Sequence, residues 1–150
     1  MLPQARAWLL TAGVDFAIAE RHMVEYLRSP QILEVPLRPP HCAGVTIWRE
    51  RWIPVLDMAQ INPAPSTAGA PVHVVVLAYQ FAPGEALHHG ALVVHTRPRE
   101  AWVSDAMACP LPDDLAALQH LACACFSLDE KAIPVVDVTR LFSGRFRVDH

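Results

Sequence analysis

Apolar residues in this chain fall into short runs separated by turn-forming residues, a pattern of strands rather than of amphipathic helices. Ala7–Gly13 and Val14–Ala19 read as two strands around Gly13, with Asp15 as the polar interruption. Gln31–Val35 reads as extended, and Pro36, Pro39 and Pro40 stiffen the loop that follows. Val45–Trp48 and Trp52–Leu56 predict a hairpin across Arg49-Glu50-Arg51. Val72–Tyr79 is a strand that ends before Pro83-Gly84, and Ala91–His95 and Ala101–Val103 continue the β pattern. Leu121–Leu128 and Ala132–Val136 predict a second hairpin. Two segments suggest a short helix or turn instead. In Glu20–Leu27 the apolar positions are Met23, Val24 and Leu27, and in Pro110–Gln119 Asp113-Asp114 is placed to cap a helical turn.

One segment is written twice. Ile53-Pro54-Val55-Leu56-Asp57-Met58-Ala59-Gln60-Ile61 returns 80 residues later, without a gap, as Ile133-Pro134-Val135-Val136-Asp137-Val138-Thr139-Arg140-Leu141. A repeat at about half the chain length predicts two similar structural units. Pro54 and Pro134 lack an N–H, so each is expected at a strand edge, a bulge or a first strand residue. Asp57 and Asp137 stand where the apolar run stops and are expected to cap one turn of helix, Met58–Ile61 and Val138–Leu141. The fold class is therefore all-β with short helical turns, folded as one domain. Its first unit spans residues 7–61, a mobile loop 62–71, its second unit 72–142 and a short tail 143–150. Two small barrels are the expected form.

Composition narrows the function. At 53% apolar and 18% charged the chain is a folded globule. A net charge of −3 with no basic block disfavours nucleic acid as a partner. No apolar stretch reaches the roughly 18 residues of a membrane span, so no membrane insertion is expected. The N-terminal residues do not resemble a secretory signal, which makes the cytoplasm the expected compartment and Cys42, Cys109, Cys123 and Cys125 reduced thiols. Cys123 and Cys125, two apart in a strand, are expected to face one side. Their spacing with Cys109 or His120 matches no common zinc pattern, and small thiols filling a barrel interior is the simpler reading. His88-His89 beside Gly90 reads as a polar loop. The chain holds no nucleophile motif, phosphate-binding glycine loop or histidine-rich metal box, so neither catalysis nor a cofactor is expected.

With these elements placed, the chain resembles the CheW family, the adaptor proteins of bacterial chemosensory arrays. The most specific match is Gly44-Val45-Thr46-Ile47-Trp48-Arg49-Glu50-Arg51-Trp52-Ile53-Pro54-Val55-Leu56-Asp57. Met23-Val24-Glu25-Tyr26 and the recurrence at Ile133–Leu141 fit the same family pattern in order and spacing. The resemblance implies two five-stranded, SH3-like barrels around a shared apolar core, and no catalysis. It implies two partners, the regulatory domain of a CheA-type histidine kinase and the cytoplasmic tip of a chemoreceptor. Carried over by position, Glu25 and Arg49 become candidate partner-facing residues, with Met23 and Trp48 beside them. Gly44 becomes a position where backbones pass closely. The chain departs from the family pattern at Ile47 in place of Asn, at Glu50 in place of Gly and at His95 in place of Asp. These changes point toward a specialised pathway, such as one for pilus or surface motility, as readily as toward swimming chemotaxis. The competing expectation is a small ligand-binding barrel or enzyme built on Asp15, His41, His95 or the Cys123/Cys125 pair.

Overall fold

The computed structural model describes residues 4–36, 42–62 and 69–143. The first half contains β1 (Gln4–Thr11), β2 (Asp15–Ala19), β3 (Met23–Leu27), β4 (Ile32–Leu33), β5 (Cys42–Trp48), β6 (Arg51–Leu56) and the one-turn helix α1 (Met58–Ile61). The second contains β7 (His73–Tyr79), β8 (His88–Val94), β9 (Arg99–Ser104), β10 (Ala122–Leu128), β11 (Lys131–Val136) and α2 (Val138–Ser143). Among the described residues the strands form two sheets, ordered β10-β11-β2-β1-β9 and β3-β7-β8-β6-β5-β4. Each curls around its own apolar interior. All five strands of the first sheet contribute to a cluster centred on Leu9, Ala17, Phe126 and Ile133. All six strands of the second contribute to another, centred on Trp48, Val55, Val76 and Ala91. We call these barrel one and barrel two. They are SH3-like barrels, and the expected five-strand count holds for barrel one, whereas barrel two gains the two-residue strand β4.

The sheets do not sort by the expected boundaries of 7–61 and 72–142. The two hairpins that open the halves are exchanged. β1 and β2 join β9, β10 and β11, whereas β7 and β8 complete the sheet of β3–β6. The pairings match throughout: β3 to β7 as β9 to β1, β7 to β8 as β1 to β2, and β6 to β8 as β11 to β2. The two residues of β4, Ile32 and Leu33, pair with Thr46 and Val45. Their counterpart in barrel one is the single bridge of Ala108 to Phe126, followed by a hydrogen bond from the Cys109 N–H to the Cys125 carbonyl at 3.0 Å. Sequence repetition thus marks the halves, and strand exchange assembles the barrels from them.

A third cluster binds the barrels together. It draws Leu10, Phe16 and Ile18 from barrel one, Leu77 and Leu92 from barrel two, and Met58, Ile61, Val138 and Leu141 from the two helices. All these side chains are nearly or fully withdrawn from solvent, so the junction between the barrels is the largest core of the molecule.

The repeated hairpins β5–β6 and β10–β11 keep the 80-residue offset in every detail. Both turn through two residues of positive φ, Arg49 (48°) and Glu50 (66°) in one and Asp129 (50°) and Glu130 (65°) in the other. That is the geometry of a two-residue type I′ turn, which continues the right-handed twist of its strands. Both carry a bulge, between Cys42 and Gly44 and between Ala122 and Ala124. Pro54 and Pro134 lie within β6 and β11, not at an edge or a first residue. Each stands one residue before the parallel pairing of its strand begins, at Val55 with Ala91 and at Val135 with Ala17. Their missing N–H groups therefore cost the parallel ladder nothing.

Asp57 accepts a hydrogen bond from the Ala59 N–H at 3.0 Å, and Asp137 from the Arg140 N–H at 3.1 Å. Replacing either by Ala should lower unfolding stability by about 0.5–2 kcal/mol, the usual cost of a lost N-cap. Unchanged midpoints in urea for both variants would show that these bonds cap nothing of consequence. Asp113 and Asp114 behave differently from the expectation. They fall inside the first turn of a 3₁₀ helix, Asp113–Leu118, capped at Pro112 with no side-chain hydrogen bond. The segment Glu20–Leu27 also differs, being one 3₁₀ turn at Glu20–His22 followed by β3. Strand pairing with β7 decides that segment, because it covers the backbone of Met23–Leu27 in a way an isolated helix turn could not.

Candidate functional site

The hairpin β5–β6 and the edge strand β3 build the site. In β3 two residues advance from Met23 to Glu25 while the partner β7 advances one, from Leu77 to Val76, leaving Val24 as a bulge. A bulge re-aims the side chain after it. Here Glu25 turns toward the hairpin, and its Oε2 accepts a hydrogen bond from the Trp48 indole N–H at 2.8 Å. The guanidinium of Arg49 lies over the Trp48 ring, 4.5 Å from its centroid. His89 of β8 packs against the ring, with the centroids 4.8 Å apart. Glu25, Trp48 and Arg49 are thus one constellation, a buried indole held between a carboxylate and a cation.

The two tryptophans of the hairpin have opposite fates. Trp48 is 6% exposed and belongs to the interior of barrel two, whereas Trp52 is 59% exposed. Trp52 stands opposite Ile47, itself 57% exposed, so the outer face of the hairpin carries an apolar cross-strand pair. With Leu27, Pro30 and Leu33 this pair lines a shallow groove beside the constellation. Exposed Trp at the edge of a groove is the kind of side chain that anchors protein interfaces. Met23, by contrast, packs half-buried against the core between the barrels.

Gly44 has φ of 147°, and a Cβ placed there would lie 2.2 Å from the Leu33 carbonyl oxygen. The backbone of β4 approaches that of β5 so closely that only glycine fits. His89 was expected in a polar loop, but the β7–β8 hairpin extends past Gly90 and takes His88 and His89 into β8. Burial pushes the His89 imidazole below its ordinary pKa, with further lowering from the charges of Arg51, Arg49 and His88. Sequence offered one sign of this role, the period-two placement of His89 before the buried Ala91 and Val93.

The residues of the competing ligand-binding reading are not brought together. Asp15 accepts from the Thr11 hydroxyl at 2.8 Å and lies 3.7 Å from Lys131. The His95 ring nitrogen Nδ1 meets the Pro71 carbonyl at 2.8 Å. His41 lies outside the described residues. The bulge between Ala122 and Ala124 breaks the alternation of β10, so Cys123 is exposed rather than aligned with Cys125 in a barrel interior. Although the residue is exposed, partial desolvation of its sulfur and the Asp137 carboxylate push the Cys123 thiol up, which makes it a poor nucleophile at neutral pH. Among the described residues no three His, Cys, Asp or Glu side chains are placed to hold a metal ion, and no helix is long and apolar enough to cross a membrane.

Two barrels with a shared core and an exposed Ile47–Trp52 pair beside a groove have the form of a binding module. The chain belongs to the CheW-like domain family, whose model matches residues 9–146. The fold is similar to that of the scaffolding protein TtCheW from Thermoanaerobacter tengcongensis, with a TM-score of 0.76 and 14% sequence identity over 99% of this chain and 98% of that one. A comparison with curated protein sequences gives no match. By its family the chain is a chemotaxis coupling adaptor, a scaffold.

Proposed function

We propose that this chain is a non-enzymatic adaptor that joins a chemoreceptor's cytoplasmic tip to the regulatory domain of a CheA-type histidine kinase, working in the cytoplasm. The observation that carries the reading is the Glu25–Trp48–Arg49 constellation beside the exposed Ile47–Trp52 pair. Arg49 is a solvent-facing charge on a rigid two-residue turn, and Ile47 and Trp52 supply the apolar centre that a protein interface needs. Ile47 and Glu50, which depart from the family pattern, lie on the same hairpin, so partner choice is expected to be tuned there.

Calorimetry with the cognate kinase domain and a receptor-tip fragment tests this directly. Arg49→Glu should weaken binding of one partner about tenfold or more, equivalent to about 1.4 kcal/mol. Glu25 requires a gentler change, because it is the acceptor for a buried indole N–H. Glu25→Gln keeps an acceptor and removes the charge, whereas Glu25→Lys also leaves the Trp48 N–H without one. Wild-type affinity for both partners in folded Arg49→Glu and Glu25→Gln would remove these two positions from the interface. A wild-type protein that binds neither partner would overturn the adaptor reading for this pair.

A further inference from the structure

The structure assigns a second kind of site to barrel one, a reversible disulfide between Cys109 and Cys125. Their sulfurs lie 3.5 Å apart, in van der Waals contact and with one thiol donating to the other. The two residues are also fixed by backbone. The Cys109 N–H donates to the Cys125 carbonyl at 3.0 Å, next to the antiparallel bridge of Ala108 and Phe126. Residues facing each other across an antiparallel pair have Cα atoms about 4.5–5.5 Å apart, inside the range of about 4.4–6.8 Å that a disulfide spans. A bond therefore needs the thiols to close on each other but no movement of the strands.

The position has a structural meaning. Cys109 and Cys125 occupy in barrel one the places of Leu33 and Val45 in barrel two, where β4 covers the edge of β5. In barrel one the cover is reduced to one bridge and one hydrogen bond, and a covalent link would complete it. Both thiols are half-buried, and Cys125 lines a groove with Val103, Ala108 and Phe126 through which a small molecule reaches it. Burial and the adjacent Cys109 push the Cys125 thiol up to about 11, so it is protonated at rest. Joining two thiols removes two electrons, so the link forms only with an added oxidant. Cys123 is engaged elsewhere, its thiol donating to the Val135 carbonyl at 3.4 Å.

A low-molecular-weight disulfide is the oxidant class that suits such a pair. The Cys109 thiolate attacks one sulfur of the small disulfide and releases one small thiol. Cys125, giving up its proton, then attacks the Cys109 sulfur of the mixed disulfide and releases the second. Two protein thiols and one small disulfide become one protein disulfide and two small thiols.

The test is to incubate the folded full-length chain with oxidised glutathione, alkylate the remaining thiols and map the peptides. The expected product is a Cys109–Cys125 link that reduced dithiothreitol reverses. It should form equally in Cys123→Ser and be absent from Cys109→Ser. Hydrogen exchange at the amides of 108, 109 and 125 should slow by tenfold or more in the oxidised form. Links that involve Cys123, mixed disulfides that never resolve, or a full complement of free thiols in the folded protein would each overturn the assignment.

Discussion

Gly44→Val is expected to be the most damaging single substitution in barrel two, lowering stability by about 3–5 kcal/mol. A branched side chain at φ of 147° incurs backbone strain of about 1–3 kcal/mol. Its Cβ must also displace the Leu33 carbonyl from a separation of 2.2 Å, and overpacking of this kind costs about 1–3 kcal/mol more. The obstacle is backbone, which cannot rotate aside as a side chain tip can. Relief would require β4 to leave β5, and that would strip the wall of the groove that holds Ile47. Ala124 is the internal control, since it occupies the same place 80 residues later and is exposed, with no full strand beside it. Ala124→Val should shift stability by no more than about 0.5 kcal/mol. Urea denaturation of both variants is the measurement. Equal, small shifts would mean that the close approach of β4 to β5 is not a constraint in solution.

Phe16→Ala carries the second large effect, a loss of about 3–5 kcal/mol as befits a fully buried aromatic ring. The location of the loss is more informative than its size. Phe16 lies in a strand of barrel one, but it packs in the cluster that also takes Leu77 and Leu92 from barrel two. Both barrels should therefore unfold together, at the same lowered urea midpoint. Trp48 fluorescence reports barrel two, and Trp102 on the exposed face of β9 reports barrel one, so single-tryptophan variants separate the two. Two distinct midpoints would show that the barrels are independent and the shared core is only a contact.

Local features of the chain were readable and non-local ones were not. Two hairpins and the Pro-to-Asp spacing follow from short-range rules that act on a few adjacent residues, and these appear in the structure in register, although the first turn is one residue shorter than Arg49-Glu50-Arg51 because Arg51 pairs with Trp48. Strand exchange left no such trace. Leu9 and Leu10 satisfy a β pattern equally well beside β9 or beside β3, and no periodicity names the partner of a strand. Glu20–Leu27 shows the same limit from the other side. Met23, Val24 and Leu27 fit a helix turn locally, and only the presence of β7 makes them a strand. At the site, Glu25 and Arg49 were identified by the family pattern, but their meeting through Trp48 depends on a bulge at Val24 that the residue order does not announce. Register likewise decides which tryptophan is buried. Trp52 pairs with Ile47 on the outer face, and Trp48 turns inward.

The exchanged hairpins make the chain a dimer of halves carried on one thread. A cut between Asn62 and Gly69 would leave two fragments, each holding one hairpin its own half does not use and lacking the one it needs. Such fragments would find each other as subunits do, with an affinity that depends on their concentration. Tethering removes that dependence, since a short covalent linker holds the second half at an effective concentration on the order of millimolar. The same geometry sets a hazard at high protein concentration. Two chains that trade hairpins through an opened junction close into barrels whose contacts match those of the monomer, so the thread favours the single chain only while the concentration of other chains stays below the effective concentration it imposes.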